Sequence, residues 1–207
     1  MHNRHIAITR IVIHIIVLLP LVVLIWDFTQ SNLTANPIRE VQLRTGGSAI
    51  NLLMLSLACT PINILTGFRP VLSLRRLLGI YAFFYTLLHF INFIGIDYGL
   101  NFALIREDLF EKRYAIVGFA SFIMLLPLAI TSIKRLRKRL GENWQRLHWL
   151  VYLAATLAVV HYIWQTKADT RLPFIYGGIL VILLAIRLPR VRNFANRHFK
   201  WLTGTMP

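Results

Sequence analysis

Six long apolar runs restrict what this chain can fold into more than any other property of its sequence. A helix needs ~20 mainly apolar residues to cross the hydrocarbon core of a bilayer. The segments read as spans are about 8–26, 48–66, 77–96, 114–133, 147–165 and 173–188. Inside lipid each backbone amide must be satisfied within its own helix or in a closed barrel. The expectation is an all-α membrane protein, a six-helix bundle with residues 1–207 as one integral membrane domain. Composition agrees: 15% of residues are charged, against about 25% in a typical soluble domain. The first run sits where a signal peptide would, but no A-x-A cleavage site follows it, so it is expected to be a retained helix.

A net charge of +15 invites a nucleic-acid reading, which the distribution of charge opposes. If the runs span, one side receives the N-terminus, the second-to-third and fourth-to-fifth connections and the tail. That side holds 16 of the 23 Lys and Arg and only one of the 8 acids, Glu142. Such asymmetry in short connections orients membrane proteins with the basic side in the cytoplasm. Both termini are therefore expected to be cytoplasmic. Trp26, Trp144 and Trp164 fall at span ends, as interfacial anchors do. The basic connection KRLRKRLGENW suits anionic lipid headgroups or a soluble partner equally. The single cysteine, Cys59, permits no intramolecular disulfide, thiolate zinc site or Cys-based iron–sulfur cluster, and without C-x-x-C-H any haem would be held non-covalently.

Seven histidines occur. His2, His5 and His198 lie in the terminal segments, where solvated side chains are the default. His14, His89, His148 and His161 lie in or beside spans, where an ionisable group is costly and commonly functional. Depth separates them. His89 lies 13 residues past Arg76 and His161 lies 15 past Arg146, or ~20 Å and ~22 Å along helices that run in the same direction. Two neutral imidazoles at one height can grip a haem iron from both faces. His148 is 13 residues before His161, leaving the two ~140° apart around an ideal helix. A second haem at His148 would need a kink or another partner; His14 is the other histidine at similar depth, and Arg75 occupies that level on the third span. Hydrogen bonding between helices and proton relay are the competing uses of such histidines.

The stretches RRLLGIYAFFYTLLHF and RLRKRLGENWQRLHWLVYLAATLAVVHYIW, with IHIIVLLP and NPIRE nearer the start, resemble the MsrQ (YedZ) family across essentially the whole chain. These are haem-binding membrane subunits of bacterial MsrPQ methionine sulfoxide reductase systems, within a wider ferric-reductase-like group that includes NADPH oxidases and STEAP reductases. The family pattern G-x-x-W-Q-x-L-H-x-x-x-Y appears as Gly141, Trp144, Gln145, Leu147, His148 and Tyr152. The resemblance implies a haem b between the third and fifth spans, one or two such haems, and His89, His148 and His161 as the haem-linked histidines. It also implies FMN, a quinol or cytosolic flavin reductase as donor, and the periplasmic molybdopterin subunit MsrP as acceptor, so that this chain would not itself act on methionine sulfoxide. NADPH oxidases carry two histidines on each of the third and fifth spans; here the third has one, with Arg75 fourteen residues before it. No G-x-G-x-x-G follows the spans, so electrons are expected from a separate donor.

Arg75 and Arg76 suit either positive-inside anchoring or charge-assisted bonding to a haem propionate or flavin phosphate. The connection 96–113 holds four of the eight acids; with 27–44 it is the expected partner-docking surface, Asp108 and Glu111 foremost. Two rival functions remain: a ferric or cupric reductase of the same fold, and a small ion or proton transporter. The absence of Asp and Glu from the span interiors weighs against the transporter.

Overall fold

A computed structural model describes residues 2–191 and 193, with side chains from Ile11 onward. Of the basic residues counted above, Arg192, Arg197 and Lys200 lie outside the described residues, as does His198; the side chains of His2, Arg4, His5 and Arg10 do so too. The helices are α1 (His2–Thr29), α2 (Pro37–Thr66), α3 (Leu72–Ile91), α4 (Phe102–Glu111), α5 (Arg113–Ile130), α6 (Lys134–Leu140), α7 (Glu142–His148), α8 (Leu150–Gln165) and α9 (Arg171–Ala185). Five stretches are long and apolar enough to cross a membrane: Ile11–Thr29, Pro37–Thr66, Arg69–Asp97, Arg113–Ile130 and Glu142–Gln165. The sixth expected span corresponds to the shorter apolar α9; its 15 residues make ~22 Å of helix.

Helix ends depart from the hydropathy pattern where local chemistry overrides it. α2 begins eleven residues before its apolar run because Asn36 caps it, accepting from the Arg39 amide at 3.0 Å, with Pro37 opening the helix and Glu40 in the first turn. After Ile91 the helix of α3 widens into a π-type turn over Asn92–Asp97. The connection that follows, expected to be a loop, contains α4. On the basic side, α6 and α7 are separated at Gly141, whose φ of 52° with ψ of −126° is open to glycine and strained for other residues.

Four helices form a closed ring in which α2 packs on α3, α3 on α5, α5 on α8 and α8 on α2. α3 and α8 therefore stand on a diagonal. The core between them includes Leu53, Leu57, Ala82, Tyr85, Leu125, Ala154, Ala155 and Val159. α1 and α9 pack outside the ring against α2, with α9 also on α8; Tyr85 ties in α1 by donating to the Val17 carbonyl at 2.7 Å.

One polar contact links α2 to the segment after α9. Pro61, fully buried inside α2, has no N–H and so leaves the Leu57 carbonyl without its helical donor. Arg187 supplies the missing bond, donating from Nη2 to Leu57 O at 2.5 Å and from Nη1 to the Tyr152 hydroxyl at 2.7 Å. Replacing Arg187 by Met should therefore strand a buried acceptor and cost about 1–3 kcal/mol, read as a lower melting temperature in detergent. In a Pro61→Ala background, where residue 61 regains its N–H, the same substitution should cost much less. Equal losses in both backgrounds would show that the Leu57 contact is not what Arg187 contributes.

Candidate functional site

His89 near the end of α3 and His161 near the end of α8 meet across the diagonal of the ring. Their ring centres are 6.2 Å apart and their planes nearly perpendicular, at 87°. Each ring has its Nδ1 against a backbone carbonyl of the helix beside it: His89 against Gln42 O of α2 at 3.0 Å, and His161 against Tyr114 O of α5 at 2.7 Å. A carbonyl can only accept, so Nδ1 carries the proton in both rings and Nε2 is left with its lone pair. This is the tautomer a metal-binding imidazole needs, with the second nitrogen held by an outer partner.

The surroundings of the two rings differ. Nε2 of His89 accepts from the Gln42 carboxamide at 3.1 Å, and Gln42 Oε1 in turn accepts from Asn92 at 2.6 Å. Asn92 is buried, donates also to Ile38 O at 3.2 Å, and leaves its own Oδ1 without a partner. At His161 the neighbour is the Tyr114 ring, 6.0 Å away between centres. Beside His89, Phe90 stacks on Phe122 at 4.4 Å and lies 5.9 Å from Phe119, closing the contact between α3 and α5 with apolar rings.

Among the described residues no third His, Cys, Asp or Glu joins this pair to form a metal-binding group. Two facing imidazoles without a third protein donor suit a metal whose remaining positions come from a macrocycle, as in haem. Metal–nitrogen bonds of ~2 Å on both sides of one ion, each extended by about 1 Å to the ring centre, set two imidazoles about 6 Å apart. The observed separation matches.

His148 lies at the other end of the ring. Its Nδ1 donates to Trp144 O at 3.0 Å, and the Trp144 ring covers it at 3.9 Å between centres. Trp144 is fixed by its Nε1–H on Thr131 O at 3.0 Å, with the Arg137 guanidinium 4.6 Å over its ring. Between α7 and α8 the backbone tightens, Trp149 N bonding to Arg146 O and Tyr152 N to Trp149 O, three residues back in each case. Residues wound at three per turn each advance about 20° more than in an α-helix, so the offset between His148 and His161 departs from that of an ideal helix. Arg75 is half-buried and acts electrostatically on His148, whereas Arg76 is exposed. His14 pairs with another residue: its Nδ1 meets the Tyr81 hydroxyl at 2.6 Å.

At the opposite end, Asp108 is bonded to Lys112 and to the Tyr98 hydroxyl, and the Asp108 bond holds the Lys112 ammonium above the usual lysine range. Glu111 is exposed. Arg44 bridges Asp27 and Glu40, each at 2.5 Å. Helix α4 presents Phe102 and Phe110 outward, 74% and 77% exposed.

A profile described as the ferric reductase like transmembrane component matches residues 16–159. The chain is 40% identical over 185 residues to the protein-methionine-sulfoxide reductase heme-binding subunit MsrQ of Xanthomonas axonopodis pv. citri (strain 306), covering 86% of this chain and 85% of that protein. It is 39% identical over 195 residues to the MsrQ of Xanthomonas campestris pv. campestris (strain 8004), covering 90% and 89%. The chain belongs to the MsrQ family, within the ferric-reductase-like transmembrane proteins. Membership agrees with the helices: this is a multi-pass membrane protein.

Within this family frame, the sequence reading found the histidines but missed the groups that orient them. Gln42, ahead of the second apolar run, and Asn92, inside the third, are carboxamides legible in the sequence. The carbonyls of Gln42 and Tyr114 left no trace, because any residue type supplies one.

Proposed function

We propose that this chain is the haem-binding, electron-transferring subunit of a protein-methionine-sulfoxide reductase system. It would take electrons from a quinol or a cytosolic flavin reductase and pass them to a periplasmic molybdopterin partner, MsrP, which repairs oxidised methionine in periplasmic proteins. The observation that carries the reading is the His89–His161 pair, 6.2 Å apart, with both Nδ1 atoms bonded to carbonyls. The name of the Xanthomonas relatives supports the same ligand.

A bound haem b supplies reversible one-electron chemistry at its iron. The work of the chain is to hold and isolate it. His89 and His161 would hold the iron through Nε2, and at His89 a metal bond would take the place of the Gln42 hydrogen bond. The carbonyls of Gln42 and Tyr114 fix the ring tautomers and make both nitrogens better donors. Phe90, Phe119 and Phe122 keep the slot apolar. His148 offers one ring toward a second haem, with Arg75 as the charged residue at its level. FMN follows from the family alone; Arg75 and Arg76 are the cations best placed for its phosphate or for a haem propionate.

We orient the bundle with its basic end in the cytoplasm, both termini on that side of the inner membrane, and α9 as a sixth span in a single membrane domain. Electrons then enter near His148 and leave near the His89–His161 pair. The outer surface formed by 96–113 and 27–44 is the docking face, with Asp97, Glu107 and Glu111 exposed on it and Asp108 held by Lys112.

His89→Ala and His161→Ala should each remove most of the haem from purified protein, whereas His148→Ala should retain more of it. Normal haem content and a normal reduced spectrum in His89→Ala would refute the ligand assignment. Arg75→Gln should slow haem reduction by the donor without changing topology; unchanged kinetics would leave Arg75 an anchoring role alone. Reversing charge at Asp108 and Glu111 should slow reoxidation of prereduced protein by MsrP with methionine sulfoxide. That defect should fade as salt screens exposed charges, and parental rates at low salt would sink the docking face.

A further inference from the structure

The two histidine sites are built to one plan. Gln42, whose carbonyl holds His89, and Tyr114, whose carbonyl holds His161, are each 47 residues before their histidine. One helical turn after each carbonyl residue stands a glycine, Gly46 in α2 and Gly118 in α5. The whole arrangement recurs at an offset of 72 residues, and so does a second level of small residues: Ala49 and Ala82 in the first pair of helices, Ser121 and Ala154 in the second. All four are buried, and Ser121 donates to Ala154 O at 2.9 Å. The ring of helices is thus a parallel repeat of the pairs α2–α3 and α5–α8, with one histidine from each.

We infer that Gly46 and Gly118 are positioning residues for the two imidazoles, an inference that rests on the haem reading above. A Cβ at Gly118 would lie 2.6 Å from His161 Nδ1 and 2.8 Å from its Cε1; at Gly46 it would lie 2.9 Å from His89 Nδ1 and 3.0 Å from Cε1. The reason is visible in the helix. The carbonyl of residue i is already an acceptor for the amide of residue i+4, and only its second lone pair is open to an imidazole. A side chain at i+4 stands over that lone pair. Glycine there lets the ring edge settle against the backbone and reach the carbonyl. Gly47, next to Gly46 on the same helix, has nothing within 4 Å of a built Cβ, so close approach is specific to the positions that face the rings.

An added methyl group must push the ring away from its carbonyl or part the two helices, and either lengthens the Nδ1–H bond. A weaker outer bond makes the imidazole a poorer donor, which stabilises ferric iron less and raises the midpoint potential. Loss of such outer-shell partners typically lowers metal affinity ~10–100-fold. Gly118, with the closer approach, should show the larger effect.

The test uses the full-length protein purified from membranes, as the parent and as Gly118→Ala, Gly46→Ala, Gly47→Ala and His161→Ala. Haem content, the midpoint potential and the low-spin ferric EPR signal are measured on each. Gly118→Ala and Gly46→Ala should lose haem affinity, titrate at a higher potential and show displaced g values, while Gly47→Ala matches the parent. If Gly118→Ala and Gly46→Ala both match the parent while His161→Ala loses its haem, the glycine inference is wrong and the haem reading stands. Parental haem and spectrum in His161→Ala would instead overturn the haem reading. Should Gly118→Ala fail to accumulate, Gly46→Ala decides on the same measurements. Failure of both to accumulate, with Gly47→Ala normal, would overturn the inference in favour of a packing role.

Discussion

An imidazole has two nitrogens to satisfy, and the interior of a helix bundle in lipid supplies water to neither. In this chain a backbone carbonyl takes Nδ1 of His89 and of His161, and the remaining architecture follows from that bond. The carbonyl must belong to a helix in close contact, so α2 lies tightly on α3 and α5 on α8. The second nitrogens differ: Nε2 of His161 keeps its lone pair, whereas Nε2 of His89 accepts from the Gln42 side chain of the same neighbouring helix. The cost of a polar ring among apolar side chains is offset by the same contact that sets its tautomer.

How much of this could be read from the residues depends on which kind of group carries it. The apolar runs mark the spans, and counting from Arg76 and Arg146 pairs His89 with His161; those signals reside in side chains. Helix extension by a cap at Asn36, the tightened turn at Trp149 and the helix α4 were missed. They arise from hydrogen-bond geometry that hydropathy does not register. Gly46 and Gly118 were present in the sequence but carried no meaning until the rings beside them were located. A lone glycine in an apolar helix usually signals only close packing; recurrence at a fixed offset from each histidine is the stronger clue.

The repeat is faithful at one end of the bundle and broken at the other. The counterpart of His148, 72 residues earlier, is Arg76, which is exposed, while half-buried Arg75 takes the inward place. The two levels therefore differ in kind: one has paired neutral rings, the other a single ring shielded by Trp144 and flanked by cations. A pair of imidazoles favours a stable, fully ligated centre. One imidazole beside positive charge suits an anionic group.

The bond from Arg187 to the Leu57 carbonyl spans 130 residues of chain. Because Pro61 lacks an N–H, α2 has an unanswered acceptor from the moment it is synthesised until the end of α9 emerges. During that interval the second helix is incomplete in the membrane, held by α3 but with a polar defect facing the place α9 will occupy. Arrival of the last helix thus closes the first-formed part of the bundle.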